Sequence, residues 1–250
     1  FLSALMGVVH ETGHALYEQG LPTEWHTLPV GQARGMSLHE SQSLLMEMQI
    51  ARSRPFIDWI APALRDTFGT TETDPGWSAD ALYRTVTQVK PGFIRVDADE
   101  ITYPAHILVR YELEVALIDG TLSLRDLPEA FNAGIHDLLG LTVPNDRLGC
   151  LQDIHWPSGA WGYFPTYTLG AILAAQLRQT AFDRDPAIAQ GIAHGDFAPL
   201  LPWLRTHVPT QASRLSPAGI VAAATGPPPS THAHRPHLPS PYSAPTPTQK

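Results

Sequence analysis

The chain of 250 residues has one cysteine, Cys150. Without a second thiol it closes no internal disulfide, which points to a reducing compartment or at least to the absence of a disulfide framework. It lacks any uninterrupted apolar run near the ~20 residues of a membrane span, so it is read as neither channel nor anchor. Basic side chains are the minority, 16 against 24 acidic, for a formal net charge of −8. A general binder of phosphate backbones needs the opposite balance, so no nucleic-acid or membrane partner is expected. No repeat of ~20 to 50 residues recurs. The first residue is Phe1, not Met. The Phe1–Val9 run has the apolarity of a signal sequence, but no basic residues precede it and no small-residue cleavage site follows. It reads as the first turns of a buried helix at the cut end of a longer chain.

What is present is 43% hydrophobic, enough for a core in one large domain or two small ones. Residues 1–225 read as one mainly α body. The last segment, Gly226–Lys250, holds eight of the 24 prolines and four apolar residues, Ala233, Leu238, Tyr242 and Ala244. So little apolar surface cannot offset ordering entropy, and a disordered tail is expected. Its histidines, His232, His234 and His237, are read as solvated, with loose metal binding as the alternative.

Helical spacing predicts helices over Ala4–Gln19, about Ser37–Phe68, Ala79–Lys90 behind a Ser78 cap, and Ala105–Ile118. The last carries Ile107, Leu108, Tyr111, Val115 and Ile118 at helical intervals. Further helices are expected near 128–139, 166–181, 186–194, 197–207 and 217–224. Phe93–Val96 alternates as a short strand would, the one strand element in an otherwise helical class.

The strongest signal is His10-Glu11-Thr12-Gly13-His14. In an α-helix, histidines four apart lie about 40° apart around the axis and one turn along it, so both rings reach one point. Glu11 is about 100° from His10, near the same place but able to face a water. Two imidazoles and a carboxylate in an apolar helix are costly without a ligand. A catalytic zinc needs a third protein ligand and an open position. The candidates are Glu18, Glu24, His26, His39, Glu40 and Glu47. Glu40 opens the next helix, 26 residues after His14, which leaves a loop to reverse the chain and return a carboxylate to the metal. Glu40 is the expected third ligand, Glu18 an orienting group, and His39 an orienting or substrate group beside a plain packing role.

Two further segments concentrate reactive side chains. Gly149-Cys150-Leu151-Gln152-Asp153-Ile154-His155-Trp156 leads to Gly162-Tyr163-Phe164-Pro165-Thr166-Tyr167. There His155, Tyr163 and Tyr167 are suitable donors to an oxyanion, Trp156, Trp161 and Phe164 read as packing, and Cys150 as a small buried residue. Ile94-Arg95-Val96-Asp97-Ala98-Asp99 leads to His106 and Arg110, one turn apart. Arginine forks bind carboxylates bidentately, so these residues suit a substrate's terminal carboxylate. Salt bridges to Asp97, Asp99 or Glu112 are the alternative.

Together, His10–Gly20, His39-Glu40-Ser41-Gln42-Ser43, Ile94–Asp99 and Gly149–Trp156 resemble, in order and spacing, the motifs of the carboxypeptidase Taq family of metallocarboxypeptidases. The resemblance spans about residues 1–225. It implies a zincin-like helical cleft fold and release of single C-terminal residues from peptides with a free C-terminus. Glu11 would be the general base, and one zinc per chain, replaceable by cobalt, would sit on His10, His14 and Glu40. It further implies Arg95 as the substrate-carboxylate group with Arg110 as companion, a cytoplasmic setting and a homodimer. Family members are about twice as long, and the part lacking here lies upstream of Phe1, including an Asp-x-Arg-x-Thr motif. The alternatives are a metal-binding fragment without activity and another zinc amino- or endopeptidase.

Overall fold

A computed structural model describes residues 1–238, so residues 239–250 of the expected tail lie outside the described residues. The chain divides into two compact units, Phe1–Thr87 with Leu169–Lys250, and Gln88–Thr168. Among the described residues all regular structure is helical, and no helix is long and apolar enough to cross a membrane.

The first unit opens with α1 (Leu2–Gly20) and, after a loop of two 3-10 turns, α2 (Met36–Leu44). Helix α1 is not buried all round as expected. Met6, Gly13, Tyr17 and Gly20 face inward, whereas Val8 is 66% exposed. The long helix expected over 37–68 is divided. A π-helical stretch, Leu45–Ala51, follows α2, and the chain breaks at Arg52-Ser53 before α3 (Arg54–Phe68). Pro55 explains the restart, because proline lacks the N–H that would continue the ladder but fits a helix's first turn. Helix α4 (Ala79–Val86) is capped as expected, with Ser78 Oγ accepting from the Ala81 N–H at 3.1 Å. It stops four residues short of Lys90.

Helix α7 (Pro165–Arg184) contributes its length from Leu169 onward to this unit. The rest is α8 (Pro186–Ile192), α9 (Leu200–His207), α10 (Pro217–Thr225) and α11 (His234–His237). Leu38, Leu45, Ile57, Leu177, Val208 and Ile220 are wholly buried together. The segment after Gly226 departs from the expected disorder as far as it is described. The Gln176 amide donates to the Pro227 and Pro228 carbonyls and its oxygen accepts from the Ser230 N–H, at 3.1–3.2 Å. Ala233 and His234 are buried. One buried amide thus substitutes for the apolar area that the composition lacks.

The second unit holds α5 (Tyr103–Ile118) and α6 (Leu127–Leu139), joined by a core of Val109, Leu113, Phe131 and Ile135. The strand expected at Phe93–Val96 is a 3-10 turn, Arg95–Asp97. There the charged Arg95 is buried, paired with Asp153, while the apolar Val96 is exposed, the reverse of what the pattern suggests. Helix α5 buries a different face from the one its apolar spacing suggests. Leu108, Tyr111, Val115 and Ile118 are exposed, while Tyr103, His106, Ile107, Arg110 and Glu114 are buried.

Candidate metal centre

Helices α1 and α2 run antiparallel, as their side-chain pairs show: Glu18 meets His39, His14 meets Glu40, and His10 meets Glu40 and then Glu47. Glycine permits the close crossing. A Cβ on Gly13 would lie 2.5 Å from the Gln42 carbonyl oxygen and the Ser43 Cα. Gly170 of α7 gives the same room to Glu40, whose Cβ would sit 2.8 Å from a Cβ placed there.

The crossing brings His10, His14 and Glu40 together, with donor atoms all within 4.8 Å of one another. His10 Nε2 lies 3.5 Å from Glu40 Oε1, and His14 Nε2 lies 3.6 Å from Glu40 Oε2. Both separations exceed a hydrogen bond. They match the roughly 3.4 Å between donors that bonds of ~2.1 Å impose around a tetrahedral ion. Two imidazoles and one carboxylate are also the donor chemistry of a borderline divalent metal, so these residues fit one.

The electrostatics separate the two histidines. Burial, with the neighbouring His10 and His39, lowers the His14 pKa to about 4, so its ring is neutral at pH 7, as a ligand must be. Burial pulls His10 down as well, but the hydrogen bond it donates to Glu47 and the charges of Glu40, Glu47 and Glu11 outweigh it and leave its pKa raised. Glu47 is opposed by burial yet held below the usual carboxylate range by His10 and Arg52. Glu11 is exposed and its charge acts on both ligand histidines.

Of the other third-ligand candidates, Glu24 and His26 are exposed in the loop, where the His26 ring bonds the Thr23 carbonyl. Glu47 sits 2.9 Å from His10 Nδ1 and bonds Arg52. His39 contacts the His14 ring and Glu18. The signal for Glu47 was available, since seven residues after Glu40 returns within about 20° of the same helix face.

The second unit gathers the other predicted residues around Asp153. Its Oδ1 accepts from Arg95 Nε at 2.9 Å and its Oδ2 from Arg110 Nε at 2.6 Å. Thus Asp153, not Asp97, Asp99 or Glu112, pairs with both arginines. Burial would raise the Asp153 carboxyl, but the two guanidinium groups hold it below its ordinary value. His155 Nε2 lies 2.9 Å from the Tyr167 hydroxyl, and the Tyr163 ring lies tilted against the His155 ring, 5.2 Å between centroids. The Arg95 guanidinium lies 4.6 Å from the centre of the Tyr167 ring. Burial, then the Arg95 charge, lowers the His155 pKa. His106 is wholly buried beside Arg110. Gln152 and Asp153 carried no assigned role in the sequence, yet they tie its two motif segments together. The Gln152 Oε1 accepts from the Arg95 N–H at 2.8 Å and its amide donates to the Phe93 carbonyl at 3.0 Å. Cys150 is half-buried against the Phe131 cluster.

A His-Glu-x-x-His helix completed by a carboxylate from the next helix, in an all-helical frame, defines the class as a metallopeptidase. Residues 1–242 match the family model described as carboxypeptidase Taq (M32) metallopeptidase, and the chain belongs to that family. Thermostable carboxypeptidase 1 of Thermus thermophilus is 41% identical over 98% of this chain and 47% of its own length. Carboxypeptidase 1 of Bacillus subtilis is 38% identical over 90% and 45%. The structure of Trypanosoma cruzi metallocarboxypeptidase 1 superposes with a TM-score of 0.90 at 40% identity, covering 96% of this chain and 50% of that one. An M32 carboxypeptidase from Deinococcus radiodurans gives 0.87 at 37%, covering 96% and 49%. The chain spans about half the length of the relatives it matches.

Proposed function

We propose that this chain carries the metal centre of a zinc carboxypeptidase that releases single C-terminal residues from peptides. The observation that carries the reading is the convergence of His10, His14 and Glu40 at metal-ligand spacing in a member of a metallopeptidase family. His10, His14 and Glu40 would hold the ion. When bound, a divalent ion supplies Lewis acidity, acidifying water and polarising a carbonyl. Glu11, exposed one residue along from His10, accepts the proton of the attacking water and returns it to the leaving amine nitrogen. In the second unit, His155, Tyr163 and Tyr167 are assigned hydrogen-bond donation to the substrate. Arg95 is assigned its terminal carboxylate, with His106 and Arg110 behind it. Arg110, wholly buried, would act by holding Asp153 in place.

The test pairs metal analysis with hydrolysis of an N-blocked dipeptide, presented with a free or an amidated C-terminus. About one zinc per chain, with cleavage of the free acid and resistance of the amide, is the expected result. Equal cleavage of both forms overturns the carboxypeptidase assignment in favour of an endopeptidase. Zinc without turnover supports the second reading, a metal-binding half without activity.

A further inference from the structure

An imidazole offers a metal its Nε2 lone pair only when the ring proton sits on Nδ1. Both His10 and His14 turn Nε2 toward Glu40, so each needs something that holds a proton on Nδ1. For His10 that group is direct. Its Nδ1 lies 2.9 Å from Glu47 Oε2, and a carboxylate only accepts, so His10 Nδ1–H donates.

His14 has no carboxylate on its Nδ1. It has the Nδ1 of His39 at 2.6 Å, a contact that could run either way. Its direction is set one residue further out, where His39 Nε2 lies 2.8 Å from Glu18 Oε1. The Glu18 carboxylate accepts, so the neutral His39 ring carries its proton on Nε2 and presents a lone pair on Nδ1. His14 Nδ1–H is then the donor. The Tyr17 ring, edge-on to His39 at 5.0 Å, fixes the plane of the intermediary.

We propose that Glu18 and His39 are positioning residues, a carboxylate–imidazole–imidazole chain that holds His14 in its Nδ1–H tautomer with Nε2 open to the metal, as Glu47 alone does for His10. The two arms differ in kind. The Glu47 side chain is 12% exposed, whereas that of Glu18 is 54% exposed, so the His14 arm ends in water and is the weaker constraint. The inference rests on His10, His14 and Glu40 being the ligands, and it adds how one of them is kept ready.

Two measurements test it: the tautomers of His10 and His14 by 15N NMR of the metal-free chain, and zinc affinity by chelator competition. Wild type is compared with Glu18→Ala, His39→Phe and His39→Gln. At a pH high enough for both rings to be neutral, wild type should show both ligand histidines protonated on Nδ1. His39→Phe should move His14 to the Nε2–H form and weaken zinc binding about 10- to 100-fold, and Glu18→Ala should give part of both changes. His39→Gln, whose amide oxygen can accept from His14, should restore most of the affinity, which a role in packing alone would not. The His10 signal should stay unchanged throughout and report an intact site. A wild-type His14 with its proton on Nε2, or an unaltered tautomer and affinity in His39→Phe, overturns the proposal. If wild type takes up no zinc, the ligand reading fails, and the metal-free spectra alone then decide the tautomer chain.

Discussion

At the scale of single residues, Glu11 and Glu40 divide the work of two carboxylates by exposure. Glu40 is 3% exposed with both oxygens toward the histidine rings, whereas Glu11 is exposed. Glu11→Gln keeps the shape but cannot accept a proton. It should retain zinc while hydrolysis falls by about 10²- to 10⁴-fold, the usual worth of a general base. Glu40→Ala should do the reverse first, losing zinc on dialysis. Metal content and turnover of both variants check the division, and undiminished hydrolysis in Glu11→Gln would remove it from the base role. Glu11 was legible because helical spacing fixes its rotation about the axis, and Glu40 because the 26 residues after His14 leave a loop to reverse the chain. The partners of the arginines were not. Asp153 lies 58 and 43 residues from Arg95 and Arg110, and no local spacing reports that distance.

At the scale of elements, the site depends on how closely α1 and α2 cross. Alanine is the better helix former by ~1 kcal/mol, so Gly7→Ala, where an added Cβ meets nothing within 4 Å, should stabilise by about that much. Gly13→Ala gains the same propensity but puts its Cβ 2.5 Å from the backbone of α2. The backbone cannot step aside as a side chain would, so the helices must separate, at a cost of about 1–3 kcal/mol. The same separation draws His10 and His14 from Glu40. Denaturant unfolding and zinc retention of the two variants should therefore move apart, and a stabilised, zinc-retaining Gly13→Ala would contradict the close crossing. The elements themselves were largely legible, because 3.6-residue spacing and caps such as Ser78 are local. Their inner faces were less so. On α5 the buried face holds His106, Arg110 and Glu114, polar groups that a hydrophobic pattern assigns to solvent.

At the scale of the whole molecule, local signals took residues 1–225 as one piece, although the first unit joins Phe1–Thr87 to a segment that begins at Leu169. The second unit, Gln88–Thr168, buries His106, Arg110 and Glu114 beside its apolar core, and such buried ionisable groups make stability depend on pH. His106 is wholly buried, and neither ring nitrogen has a well-formed hydrogen bond. Burial, then the Arg110 and Arg95 charges, lower its pKa to about 4, opposed weakly by the Gly92 carbonyl and Asp153. An unfolded histidine titrates near 6.5. Between that value and about 4 the unfolded chain takes up a proton that the folded chain refuses, so stability falls as pH falls through this window. The full loss approaches about 3 kcal/mol. Below the window, protonation of Asp153, whose pKa is depressed by the same two arginines, removes more. Urea unfolding followed through the indole N–H NMR signals of Trp156 and Trp161, both in this unit, should show the decline from pH 6.5 to 4 in wild type. His106→Leu, which cannot titrate, should make that part of the curve shallower by the His106 share, the share of His14 and His155 remaining, while leaving the acid limb of Asp153. An equal slope in the variant would mean that His106 already carries its proton inside the fold.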